Sequence, residues 1–195
     1  MGEAKPWTRQ SCAGLVACLL LVLSCPTHAH GYDAVVCVSG GLSGLPSNCG
    51  LELCDTSKTT YLDAIETVTS LVALELPADP SVLICSQIPA GTPVQETLEV
   101  PHVDGELGAI LEMDFGGNIL CPADPATQVG LPDPTVLKII ADAPLTLRNL
   151  TIDQSADSPC SHKDYGAIQL RSEASTTLED LHILGTKSFG VRVQD

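Results

Sequence analysis

Aromatic side chains are scarce in this chain, with two Phe, one Trp and three Tyr among 195 residues. A core without aromatics has to be filled by Leu, Ile, Val and Ala, which suits a narrow layered interior better than a bulky sandwich core. Basic side chains are scarce too, nine Lys plus Arg against 24 Asp plus Glu. A surface this acidic repels phosphate backbones, so nucleic acid is not expected as a partner. After the first 29 residues no apolar run approaches the ~20 residues that cross a bilayer, so no membrane span is expected. The nine cysteines contain no Cys-x-x-Cys pair, which argues against a zinc ribbon.

Residues 1–29 have the parts of a secretory signal peptide: Lys5 and Arg9, an apolar run from Cys12 to Leu23, and Thr27-His28-Ala29 as a small-x-small cleavage site. The run is too short for an anchor. A lipoprotein reading at Cys25 has a poor small-residue match before the cysteine. Cleavage after Ala29 removes Cys12, Cys18 and Cys25 and leaves an even set: Cys37, Cys49, Cys54, Cys85, Cys121 and Cys160. In a secreted chain these predict three disulfides. Their pairing stays open, since six cysteines admit about fifteen connectivities. Cleavage also leaves seven basic against 23 acidic side chains, a net charge of −16. The expectation is a secreted, extracellular protein of one domain.

The strongest pattern is a repeat. Leu137 to Ile152 reappears 31 residues later as Ile168 to Ile183. Leu137 and Ile168, Ile139 and Leu170, Ala143 and Ala174, Leu147 and Leu178, Leu150 and Leu181, Ile152 and Ile183 stay apolar while the residues between them vary. In-register recurrence predicts parallel strands stacked ~4.8 Å apart, with like residues one above another. Alternation then places Leu137, Ile139, Ile168, Leu170, Val191 and Val193 inside, and Lys138, Gln169 and Arg192 outside. A third copy starts at Val191-Arg-Val193.

Upstream, residues 30–58 form a cysteine-, glycine- and proline-rich segment with one strand at Val35–Val38, expected to be stapled by disulfides. Thr60-Tyr-Leu-Asp63 offers a helix start, and Tyr61, Ile65, Val68 and Val72 fall at helical spacing. The helix is expected over about residues 60–70, giving way to a strand at Val72–Leu76 that ends at Pro77. Short strands follow at 82–85, 97–100, 109–115, 136–140 and 145–152, separated by turns such as Gly116-Gly-Asn118 and by an insertion from Cys121 to Pro134.

Leu62-Asp-Ala-Ile65, the Gly116-Gly117-Asn118 turn, Leu147-Arg-Asn-Leu-Thr-Ile152, Gly166-Ala-Ile168, Leu178-Glu-Asp-Leu-His-Ile183 and Gly190-Val191 together resemble the right-handed parallel β-helix group, the pectate-lyase-like fold, over roughly residues 60–195. The resemblance implies an all-β solenoid, residues 59–195, whose first helix caps the N-terminal end. It further implies a coil that reads as incomplete at the C-terminal end. These are motifs of architecture, shared by lyases, hydrolases, epimerases and adhesins, and they say little about function. The group's glycosidases carry Gly-His-Gly and Arg-x-Lys, and neither occurs here.

No catalytic residue is therefore assigned. Glu179-Asp180 is the one acid pair considered, and it reads as a solvated corner, since glycoside hydrolysis needs carboxyls ~5–9.5 Å apart across one groove. His182 points outward, and His102 and His162 lie in loops without a partner pattern. No cofactor is expected. With a zinc ribbon set aside, Ca2+ is the ion considered, at Asp153, Asp157 and Asp164, although their spacing matches no known loop. The candidate ligand-binding column is Lys138, Gln169 and Arg192, with Arg171 near the same face, stacked so as to read an acidic or hydroxyl-rich glycan. Asn149-Leu-Thr151 is a glycosylation sequon. The sequence thus predicts a secreted or cell-surface protein that binds or displays, toward polysaccharide. The alternative is a polysaccharide lyase or glycosidase with catalytic residues beyond Asp195. Further turns of the coil, or a second copy of the chain, are the other partners expected at the C-terminal end.

Overall fold

A computed structural model describes residues 31–74, 80–100, 110–122, 135–140, 143–155, 157–158, 160, 165–171, 174–186 and 188–194. The leader segment, His102, His162, Asp164 and most of the insertion after Cys121 lie outside the described residues. In chain order the strands are β1 (Ala34–Val38), β2 (Asn48–Cys49), β3 (Glu52–Leu53), β4 (Thr56–Lys58), β5 (Ser81–Ser86), β6 (Pro93–Gln95), β7 (Leu98–Val100), β8 (Ile110–Asp114), β9 (Ile119–Cys121), β10 (Thr135–Ile139), β11 (Leu145–Asp153), β12 (Gly166–Leu170), β13 (Thr176–Leu184) and β14 (Val191–Val193). One helix among the described residues, α1 (Tyr61–Leu74), stands between β4 and β5.

The repeat pairs as read. Leu147 lies beside Leu178, Leu150 beside Leu181 and Ile152 beside Ile183 in the parallel β11–β13 pair, and Leu137 lies beside Ile168 and Ile139 beside Leu170 in β10–β12. Strict alternation is broken once in each copy. Leu147 and Leu150 both face the core although they are three apart, because Asn149 takes a left-handed turn at φ 56. Asp180, its counterpart, does the same at φ 48. Asn and Asp tolerate that conformation better than other side chains with a Cβ, which explains why a short polar residue stands there in both copies.

The parallel β-helix expected from the repeat is not what these strands build. They form an eight-stranded sheet in the order β4-β1-β5-β8-β11-β9-β6, with β13 also on β11, and a four-stranded sheet in the order β14-β12-β10-β7. The described residues form a mostly parallel β-sheet half-barrel with one helix. In-register recurrence reports which strands pair, and it carries no information on whether the wall between the two sheets closes. Here β11 joins what a coil would keep apart: its first half pairs with β8 and its second with β9.

The helix also departs from expectation. It runs through Leu74, so no strand begins at Val72. Thr60 Oγ1 accepts the Asp63 amide at its start, as the capping pattern predicts, and Tyr61, Ala64, Ile65 and Val68 are buried in the core shared with both sheets. At the far end, Val191 and Val193 are 44% and 72% exposed, not inside. Deep within, Asn118 is 1% exposed and fully engaged. It accepts from the Tyr61 and Ser86 hydroxyls at 2.8 and 2.6 Å and donates to the Ile88 and Pro89 carbonyls at 3.2 and 2.9 Å. Such a satisfied network ties helix, β5 and the turn before β9 into one arrangement.

Three disulfides join Cys37 to Cys54, Cys49 to Cys85 and Cys121 to Cys160. No helix among the described residues is long and apolar enough to cross a membrane.

Candidate functional site

The outer face of the large sheet collects polar side chains by simple alternation. Inward Leu111 and Met113 leave Glu112 and Asp114 pointing outward from β8, and inward Leu147 leaves Arg148 pointing outward from β11. Register does the rest, setting Asp114 beside Arg148 on one flank and Cys85 on the other. Arg148 Nε donates to Asp114 Oδ2 at 3.1 Å, and its Nη2 pairs with Glu112 Oε1. Tyr32, just before β1, donates its hydroxyl to Glu112 Oε2 at 2.6 Å. Asp114 Oδ1 accepts the Asn149 side-chain amide and the Gly116 amide, each at 2.9 Å.

Above this floor stands the β2–β3 hairpin. Its antiparallel pairing sets Cys49 opposite Glu52, and the disulfides to Cys85 and Cys37 pin it to adjacent strands of the sheet. Between hairpin and sheet is a cleft of about 540 Å³ lined by Tyr32, Leu51, Glu52, Asp114, Gly116 and Arg148 among others. Leu51 is 80% exposed at its rim.

Electrostatics favour the protonated forms of Tyr32 and Arg148. Burial, reinforced by the Glu112 carboxylate, pushes the Tyr32 phenol up to about 12, so it remains a donor. Burial works against the Arg148 charge, but Glu112 and Asp114 outweigh it and hold the guanidinium above its ordinary value. With Glu52 and Asp114 lining the cleft against a single arginine, and Glu112 bound to that same arginine, the cleft carries excess negative charge. It can accept hydrogen bonds from hydroxyl groups and repels anions. Glu112 and Asp114 grip the same guanidinium, so they do not face each other across an open groove as a glycosidase pair does.

The residues singled out from sequence fall elsewhere. Lys138, Gln169 and Arg192 do stack in register on the small sheet, continuing from Glu99. Each is engaged within the protein: Lys138 with Glu99 at 3.0 Å, Gln169 with Gln194 at 2.6 Å, and Arg192 over the Phe189 ring at 4.1 Å. Arg171 is exposed just beyond β12. Glu179 and His182 are exposed on β13 together with the Asp180 corner. Asp153 Oδ1 accepts the Ser155 amide at 2.9 Å and Asp157 is exposed, and no group of three or more His, Cys, Asp or Glu able to hold a metal occurs among the described residues. The sequon residue Asn149 is half-buried, its amide committed to Asp114.

Tyr32, Glu112, Asp114 and Arg148 were not visible as a site in sequence. The available signal was the match of Leu111-Glu-Met-Asp114 to Leu145-Thr-Leu-Arg148, which pairs acid with base across one strand step. Its spacing is 34 residues, not the 31 of the repeat. No protein-family model, curated protein or solved structure matches this chain, so the resemblance to the pectate-lyase-like group rests on its sequence motifs alone.

Proposed function

We propose that this is a secreted or cell-surface protein that binds polysaccharide without chemistry of its own, through the cleft between the β2–β3 hairpin and the large sheet. The observation that carries this reading is the convergence of Tyr32, Glu52, Asp114 and Arg148 on one cleft whose hairpin wall is held by two disulfides. A sugar offers hydroxyl donors and acceptors around an apolar ring face. The carboxylates accept from the hydroxyls, the guanidinium donates back, and Leu51 supplies apolar surface. Rigid walls reduce the ordering cost of binding. Three internal disulfides support an oxidising destination, in line with the leader segment.

The charge of the cleft selects among glycans. Neutral chains are favoured over uronates, because a uronate would add an anion to a site that already has surplus carboxylate. The acidic-glycan reading of the Lys138, Gln169 and Arg192 column is weaker, since Lys138 already has Glu99 as its partner. Retention on an array of neutral and acidic oligosaccharides tests this. Wild type should be retained on at least one neutral class, and Arg148→Ala should weaken retention about tenfold or more. Retention on uronates alone, unchanged by Arg148→Ala and abolished by Lys138→Glu with Arg192→Glu, would move the site to the column.

A further inference from the structure

Of the three asparagines, Asn48, Asn118 and Asn149, only the last opens a glycosylation sequon. The fold sets that amide at one end of the hairpin cleft. Asn149 follows Arg148 in β11, its Nδ2 donates to Asp114 Oδ1 at 2.9 Å, and its carbonyl accepts the Gly117 amide at 2.8 Å. Arg148, Asp114 and Gly116 all line the cleft. The left-handed turn at φ 56 fixes this placement, because it lets Leu147 and Leu150 both face the core while Asn149 stays on the polar side with Arg148.

We infer that Asn149 carries an N-linked glycan and that this glycan occupies the cleft, so that the protein masks its own site. The inference rests on the neutral-glycan reading of the cleft. In the transfer, Nδ2 loses one hydrogen as a proton and bonds to C1 of an oligosaccharide carried on a polyprenyl diphosphate, and the lipid diphosphate leaves with the C1–O bond electrons. The second Nδ2 hydrogen remains available to Asp114. The amide is half-buried in the finished fold, and transfer acts on the chain as it enters the secretory compartment, before the Asp114 bond has formed.

Charge and tether both favour self-occupancy. The core of such a glycan consists of neutral hexoses and N-acetylhexosamines, which suit a cleft with surplus carboxylate. Its attachment point bonds to one lining residue, Asp114, and is next in the chain to another, Arg148. A ligand on so short a tether meets the site at an effective concentration on the order of 1 mM, so a free oligosaccharide has to displace it.

Secretion from a eukaryotic host tests both halves. The intact mass of wild type should exceed the polypeptide mass by whole hexose and N-acetylhexosamine units, and Thr151→Val, which keeps a β-branched side chain and leaves Asn149 in place, should remove the excess. Titrated with a free neutral oligomannose oligosaccharide, Thr151→Val should bind about tenfold more tightly than glycosylated wild type. Wild type trimmed to its first sugar by an endoglycosidase should gain affinity likewise; an amidase is unsuitable, since it would turn the Asn149 amide into a second carboxylate against Asp114. An unmodified Asn149 would overturn the inference, as would equal affinities for the masked and unmasked forms, or a Thr151→Val protein that binds other neutral glycans but no oligomannose, and in each case the neutral-glycan reading of the cleft would stand. Failure of the unmasked forms to bind any neutral oligosaccharide would overturn that reading and the inference together.

Discussion

Arg148 shows how much of this molecule is decided by single outward positions. One guanidinium satisfies Glu112 and Asp114 and, through Glu112, holds Tyr32 at the mouth of the cleft. Because burial and Glu112 favour the protonated phenol in the folded state, Tyr32 binds its proton more tightly folded than unfolded. Its contribution to stability is therefore complete below its ordinary value of 10.0 and is lost as pH rises through about 12. A spectrophotometric titration of the tyrosinate band should show a late step that Tyr32→Phe removes; an unchanged curve would contradict the assignment. At Asn118 the same logic runs through geometry. Asn118→Ala removes the shared acceptor of the Tyr61 and Ser86 hydroxyls, leaving Tyr61 the Phe115 carbonyl at 3.4 Å, and should cost about 2–3 kcal/mol in denaturant unfolding. Loss below a few tenths would mean that the network contributes little.

Elements depend on residues far away in sequence. The first amides of α1, Tyr61 and Leu62, donate to the Glu96 carboxylate at 3.3 and 3.1 Å across 35 and 34 residues. Burial is the main influence on Glu96 and raises its pKa even though both amides favour the charged form. The folded state therefore takes up the proton more readily than the unfolded one, and stability falls as pH rises from the ordinary carboxylate range through the folded value. Glu96→Gln should flatten that slope in melting temperature against pH, and an unaltered slope would place its origin elsewhere. Leu147 and Leu178 offer a second element-level comparison, since they are counterparts in neighbouring strands with different burial. Leu147→Ala should cost about 2–5 kcal/mol and Leu178→Ala clearly less. Equal costs would show that something covers β13.

The whole molecule explains what sequence could and could not disclose. Register was legible because an inward Leu or Ile must stack on its like, so the 137–152 and 168–183 copies announced their own pairing. Closure was not legible, because a parallel pair looks the same in a coil and in a half-barrel. The extent of α1 was missed because Val72-Ala-Leu-Glu-Leu76 alternates as well as any strand, and the helix nucleated by Thr60 and Glu96 simply continues through its first residues. The cleft was hidden for a related reason: its walls come from residues 32, 49–52, 85–86, 114, 116 and 148, which the sheet order and two disulfides assemble. On the proposed reading those disulfides hold one wall of the binding cleft, and they also form part of a small buried cluster with Val35 and Leu83. Replacing Cys49 and Cys85 by serine frees the hairpin, and ligand affinity should drop even where the sheets stay folded by circular dichroism. Full affinity in that variant would show that the hairpin is not part of the site.

Under the proposed function the hairpin cleft is where a neutral glycan binds. The most direct measurement is a titration of the isotopically labelled mature protein with neutral oligosaccharides, following backbone amide shifts. On this proposal, saturable shifts centred on Tyr32, Gly50 to Glu52, Asp114, Gly116 and Arg148 are expected, and they should be absent in Arg148→Ala. Shifts confined to the Lys138, Gln169 and Arg192 column, or none with any neutral oligosaccharide, would contradict it.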